Sequence, residues 1–282
     1  MLIAQISDTH IGAPGRDDLL RTSWHLARAV AHLNRRERRP DLVVITGDLV
    51  DHGEVGEYEH LRELLAPLRM PVFLLPGNHD DRHNLRRAFA DHAYLQREGP
   101  YLNYVVDDWP VRLVALDTLV PGQPGGRLCD GQLAWLADRL AEAPARPTVI
   151  AMHHPPFSSG VAVLDAFGLA GSDALAAVLR RHPQVERVLC GHLHRPIVRR
   201  FAGTVACTCP STAHQVALDL PPADRLAFVM EPPACMLHLW LGEEEGTITH
   251  LSPIADERPL WVMHDGEGWV RGSRPPAGFH PT

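Results

Sequence analysis

Lysine is absent from this chain: all 27 basic residues among its 282 are arginine. That removes Schiff-base chemistry and the phosphate-gripping lysine of a P-loop. Cysteine is sparse and odd in number, Cys129, Cys190, Cys207, Cys209 and Cys235, with no paired C-x-x-C spacing. This argues against a disulfide framework or structural zinc ribbon and fits a reducing cytoplasm. Cys207 and Cys209 alternate within an expected strand, which puts both thiols on one face as packing groups. No apolar run approaches the ~18 residues of a membrane span, and the apolar start stops at Asp8 without a basic leader or cleavage site. A soluble, unprocessed protein with no membrane partner is the expectation. Net positive charge is lacking too: at −7, the chain has no broad surface for long nucleic acids. Its one basic cluster, Arg35, Arg36, Arg38 and Arg39, closes an expected helix before Pro40, where cations complement the helix dipole.

What the chain has is a sizeable core composition, 45% hydrophobic, and 18 histidines, several of them in short polar segments. Apolar runs at residues 2–6, 42–45, 72–75, 148–151 and 185–190 read as buried strands. Helical periodicity near 19–34, 58–68, 85–90, 132–142 and 174–181 alternates with them, so largely parallel sheets with helices outside are expected. Residues 101–106 and 111–116 flank Asp107-Asp108-Trp109-Pro110, a hairpin signal that makes the sheets mixed. After Pro210 helical periodicity fades, proline pairs break the chain, and strand patterns return at 235–241 and 247–251. This divides the chain into a core, 1–215, and a C-terminal β or irregular extension, 216–282. The extension could complete the sheet, cap the site or form a subunit contact. Trp240, Trp261 and Trp269 in it would suit a homo-oligomeric interface.

Five polar segments each follow one of the apolar runs: Asp8-Thr9-His10, Gly47-Asp48, Gly77-Asn78-His79-Asp80, His153-His154 and Gly191-His192-Leu193-His194. Ligands at the carboxyl ends of rigid strands converge where loops from distant sequence positions meet. Asp8 and His10, one residue apart, would project to the same side of an extended chain and grip one ion. Asp48 has two carboxylate oxygens with which to bridge two cations, and Asp51 stands behind as an orienter. Asn78 can offer an amide oxygen to a metal while His79 faces the substrate. His153, His192 and His194 add imidazole nitrogens, and Pro155-Pro156 keep the chain after the histidine pair extended. Carboxylate, imidazole and amide donors suit two divalent ions of Mn, Fe, Zn or Co.

These segments resemble the signature of the calcineurin-like metallophosphoesterases, D-x-H, G-D-x-x-D, G-N-H-[DE], a histidine before a loop and G-H-x-H, over roughly residues 2–195. His153-His154-Pro155-Pro156, the Pro210-Ser211-Thr212-Ala213-His214 segment and the strand around Cys235 to His238 look like the bacterial branch of class III cyclic nucleotide phosphodiesterases and glycerophosphodiesterases. The resemblance implies a four-layer αββα sandwich of two mixed sheets with a metal pair at one edge. One ion would be held by Asp8, His10, Asp48 and His194, the other by Asp48, Asn78, His153 and His192. The catalytic group would comprise His79, Asn78 and Asp51, with His79 held by Asp51 or Asp80 to stabilise charge or protonate a leaving alkoxide. Asn78, His79, His214 and Phe157 would line the substrate side, Phe157 or Trp261 as an apolar wall. The activity implied is hydrolysis of a small phosphodiester, a cyclic nucleotide such as cAMP or a glycerophosphodiester, by a hydroxide shared between the ions. Phosphomonoesterase or nucleotide pyrophosphohydrolase activity, and a non-catalytic scaffold, are the alternatives on the same fold.

Overall fold

The computed structural model describes residues 1–15, 19–220 and 225–255. Along the chain run β1 (Leu2–Ile6), α1 (Thr22–Arg35), β2 (Leu42–Thr46), α2 (Val55–Leu65), β3 (Val72–Leu75), α3 (Arg82–Ala88), β4 (Tyr104–Val106) and β5 (Arg112–Leu116). There follow β6 (Gly126–Arg127), α4 (Asp130–Ala141), β7 (Thr148–Met152), α5 (Ala162–Asp165), β8 (Leu169–Ala170), α6 (Ser172–Leu179) and β9 (Val185–Cys190). The chain then continues through β10 (Ile197–Phe201), β11 (Thr204–Thr208), β12 (Gln215–Val216), β13 (Phe228–Val229), β14 (Ala234–Trp240) and β15 (Thr247–Pro253). Helix α2 begins three residues before the apolar pattern does, because Glu57 reaches back to the Glu54 N–H in a capping box.

Two sheets carry the fold. The first has the order β15-β14-β1-β2-β3, with β1, β2 and β3 parallel and β14 and β15 antiparallel. The second has the order β10-β11-β9-β7-β5-β4, with β5, β7, β9 and β11 parallel and an antiparallel strand at each edge. Alternation along the second sheet sorts its side chains into two cores. Leu113, Ala115, Val149, Ala151, Leu189 and Cys207 join the core shared with the first sheet. Val114, Leu116, Ile150, Met152, Val188 and Cys190 join the core built with α4 and α6. Leu26, Leu33 and Leu61 of α1 and α2 cover the other face of the first sheet. The result is the four-layer αββα sandwich, with Cys207 and Cys209 buried in one core as the alternation required.

Beyond residue 215 the chain returns to the first sheet. β14 pairs antiparallel with β1 from Leu2↔Leu239 to Gln5↔Met236, so β1 is central rather than an edge. Trp240 ends that strand half-buried, whereas Trp261 and Trp269 lie outside the described residues. Among the described residues no helix is long and apolar enough to cross a membrane.

Candidate metal centre

The carboxyl ends of β1, β2, β3, β7 and β9 meet at one edge of the sandwich, and their loops are laced together. Asp8 N–H donates to the Gly47 carbonyl (3.0 Å), His10 N–H to the Asp48 carbonyl (3.0 Å) and Gly191 N–H to the His153 carbonyl (2.9 Å). The pairing leaves little room. A Cβ on Gly77 would lie 2.2 Å from Asp48 Oδ1, and one on Gly47, whose φ is +89°, 2.4 Å from His153 Nδ1. Glycine in the Gly-Asp and Gly-Asn motifs is therefore a requirement of close approach.

The loops are not extended. Asp8 (φ 52°), His10 (φ 44°), Asp48 (φ 46°), His192 (φ 70°) and His194 (φ 47°) all occupy the left-handed region. The same-side projection expected of Asp8 and His10 in an extended strand is thus replaced by a coiled turn that still brings both inward. Left-handed backbone costs a non-glycine residue on the order of 1–3 kcal/mol, and such outliers gather where geometry serves a site. Five of them lie in this one centre.

Two clusters result. Asp8, His10, Asp48 and His194 have donor atoms within 4.8 Å of one another. His10 Nε2 and His194 Nε2 face each other at 3.1 Å, and His194 Nε2 lies 3.5 Å from Asp8 Oδ1. In the second cluster Asn78 Oδ1 lies 3.1 Å from His153 Nε2 and 3.0 Å from His192 Nδ1. Asp48 stands between them: its Oδ2 is 3.7 Å from His10 Nε2 and 3.4 Å from His153 Nε2, while its Oδ1 accepts the His79 N–H at 3.0 Å.

Every imidazole in the two clusters is tied on its far side to an oxygen that can only accept from it. His153 Nδ1–H donates to the Thr46 carbonyl (2.8 Å), His192 Nε2–H to the Phe167 carbonyl (3.2 Å), and His194 Nδ1–H to the His214 carbonyl (3.0 Å). His10 Nδ1–H points to the Asp51 carboxylate (3.3 Å). Each tautomer is therefore set with its lone pair turned into the cluster, the arrangement that orients histidine toward a cation. Asp8 Oδ2, buried, takes no hydrogen bond among the described residues. Two carboxylates, four imidazoles and an amide oxygen fit divalent metal ions.

Electrostatics point the same way. Burial pushes the Asp8 carboxyl up to about 6. Burial would raise Asp48 as well, but the neighbouring His153 and His10 outweigh it and hold the group well below the usual range. His153 is pulled up to about 9, Asp48 overcoming the burial that opposes charge. Burial, then His153, lowers His192 to about 3, and burial with His10 and His214 keeps His194 well below its usual value. Imidazoles kept neutral at His192 and His194, and one drawn toward protonation at His153, beside buried carboxylates mark a site that favours positive charge.

The other expected residues fall as follows. His79 is exposed at the mouth, its Nδ1–H donating to the Asp51 carbonyl at 2.8 Å. Asp80 does not touch it; its carboxylate instead accepts from Gly77 N–H, Leu49 N–H and Tyr58 O–H and pins the turn. Asp51 orients His10 through its carboxylate and His79 through its backbone. His214 is buried beside the first cluster, its ring 4.7 Å from His194. His154 sits behind the second cluster, held by Thr118 Oγ1 and the Pro124 carbonyl. Phe157 packs into the core beneath β7 and lines the neighbouring cavity, which also borders His192, rather than the one above the clusters. The cavity above the clusters, about 860 Å³, is walled by Trp24, Phe167, Val216, Leu226 and Phe228. None of these carries a motif, and only their spatial convergence reveals them.

The model of the calcineurin-like phosphoesterase family matches residues 1–196. A probable glycerophosphodiester phosphodiesterase, GpdQ, of Arcobacter nitrofigilis is 37% identical over 271 residues, covering 95% of this chain and 98% of that one. The 3′,5′-cyclic adenosine monophosphate phosphodiesterase CpdA of Escherichia coli is 35% identical over 215 residues, 76% of each chain. The crystal structure of a dimetal phosphatase from Danio rerio shares the fold with a TM-score of 0.63 at 17% identity, covering 90% of this chain and 99% of that chain. Matched by the family model over most of its length, and by relatives above 30% identity along most of theirs, this chain belongs to the calcineurin-like phosphoesterase family.

Proposed function

We propose that the chain is a dinuclear metal-dependent phosphodiesterase acting on small phosphodiesters, either glycerophosphodiesters or 3′,5′-cyclic nucleotides. The observation that carries this reading is the position of Asp48 Oδ2 between His10 and His153, at 3.7 Å and 3.4 Å. A carboxylate oxygen facing two imidazole clusters is a donor that two cations can share. Asp8, His10, Asp48 and His194 would hold the first ion, and Asp48, Asn78, His153 and His192 the second. Bound there, divalent ions of Mn, Fe, Zn or Co supply Lewis acidity toward a phosphoryl oxygen and a more acidic water.

The residues around the clusters do the rest. Asn78 and His79, which line the cavity, would hold phosphoryl oxygens. With Nδ1–H committed to the Asp51 carbonyl, His79 has Nε2 for the cavity it lines. As an imidazolium it donates the Nε2 proton to the departing ester oxygen; neutral, it can only accept there. The His79 N–H that holds Asp48 and the tautomer-setting carbonyls keep this geometry fixed before substrate arrives, which is where positioning lowers a barrier.

The GpdQ and CpdA relatives support a diester substrate, since both are phosphodiesterases by name and the first aligns along nearly all of both chains. The five cysteines are free, in keeping with a cytoplasmic setting. The test is kcat/KM with Mn²⁺ on glycerophosphoethanolamine and on 3′,5′-cyclic AMP, for wild type and Asp48→Asn. Metal-dependent turnover of at least one diester is expected, with the variant reduced by on the order of 10³ or more. Undiminished turnover in Asp48→Asn would sink the shared-ligand assignment.

A further inference from the structure

The floor of the 860 Å³ cavity is polar, but part of its wall is apolar. Trp24, Leu226 and Phe228 stand around it with 42%, 46% and 63% of their surface exposed. Large apolar side chains left in water and gathered at one opening mark a surface that something apolar covers. Two of the wall residues are tethered to the clusters themselves. The Phe167 carbonyl holds His192 of the second cluster. Phe228 pairs with Val216 across β12 and β13, and its ring meets His214, beside the first cluster, edge-on at 5.0 Å. Trp24 is fixed by the guanidinium groups of Arg21 and Arg28, each 4.4 Å from its ring. The wall therefore stands in a set relation to the place where phosphorus would lie.

We infer that the cavity selects a phosphodiester in which one ester group is apolar or aromatic, that group lying against Phe167, Leu226 and Phe228. This rests on the phosphodiesterase reading above and assigns its specificity. A small polar ester group would leave Phe167, Leu226 and Phe228 in water, whereas an apolar group dries them. Phe167 and Phe228 are thus specificity-determining residues.

The experiment uses the Mn²⁺-loaded full chain and alkyl p-nitrophenyl phosphates from methyl to hexyl, with the phenyl ester. The leaving group is constant, so only the retained ester group varies. A fully buried methylene is worth roughly fourfold in kcat/KM. At least a tenfold rise from methyl to hexyl is expected, and at least a halving of the logarithmic slope in Phe228→Ser and Phe167→Ser. Phe228 is mostly exposed, so its replacement spares the core. Turnover with a flat series would overturn the inference and leave the phosphodiesterase reading standing. No turnover of any diester, including the two natural ones, would overturn both. A wild-type slope that persists unchanged in both variants would remove the assignment to these two residues.

Discussion

Single atoms define this centre. Asp51 is divided in its effect: its carboxylate sets the His10 tautomer, and its backbone carbonyl sets that of His79. Asp51→Ala removes the first, together with the weaker 3.7 Å approach of the carboxylate to His79 Nδ1, and keeps the second. It should weaken metal binding about 10–100-fold, as loss of a partner behind a ligating histidine does, while leaving His79 oriented. Metal titration followed by calorimetry would read this, and unchanged affinity would dismiss Asp51 as an orienter. His79→Ala should show the opposite division, with metal affinity intact and alkyl diesters slowed by about 10²–10⁴ while p-nitrophenyl esters lose far less. Equal losses on both would make His79 a phosphate binder rather than a proton donor.

At the scale of elements, β14 carries more than sheet completion. His238 on this strand is buried between the sheets, with Nε2 toward Gln5 Oε1 (3.1 Å) and Nδ1 toward Thr249 Oγ1 (2.9 Å). Gln5 Nε2 in turn reaches Thr46 Oγ1 at 2.9 Å, and the Thr46 carbonyl is the one that holds His153. Burial, then Arg187, lowers the His238 pKa from 6.5 to about 3. A folded-state value below the unfolded one gives stability that is present above pH 6.5 and lost as pH falls from 6.5 toward 3. Between pH 7 and pH 5, urea unfolding of the wild type should lose up to about 2 kcal/mol more than that of His238→Gln. An equal loss in both would mean that His238 charges freely in the folded chain. The strand as a whole shields β1, so a chain ending at residue 216 would leave β1 as an open edge bearing the Asp8 loop. Aggregation without a cooperative transition is expected of it. A folded, metal-binding 1–216 fragment would show the C-terminal strands to be dispensable.

For the whole molecule, the metal ions are a stability term. Strained loops and buried carboxylates at one edge are held only by packing and their own hydrogen bonds when the clusters bind nothing, so ligands to them raise the melting temperature by mass action. At ~100 times Kd each occupied site contributes ~2.7 kcal/mol, which in a chain of this size is worth several degrees. Chelation at pH 7 should lower Tm by that amount, and Asp48→Asn should be insensitive to it. A Tm in Asp48→Asn that falls on chelation as far as the wild type's would show that the clusters do not depend on Asp48.

The five ligand segments, their order and the strands before them were legible in the sequence because each is local: a short continuous apolar run, then polar residues a few positions on. The alternation of the second sheet also placed Cys207 and Cys209 on one face correctly. What stayed out of reach lies between residues far apart. Thr46 and His153 are separated by 107 positions, His10 and His194 by 184, and no local pattern announces that a carbonyl will set a tautomer or that an oxygen of Asp48 will face both clusters. The apolar wall was misplaced onto Phe157 for the same reason: a lone aromatic carries no period, and only packing decides whether it enters a core or a cavity. Composition and motif thus determined the chemistry this chain can perform, since donor types are covalent facts. Tertiary structure alone decided the left-handed turns that aim the donors, the carbonyls that fix them and the wall that faces the substrate, because each depends on which surfaces fold together.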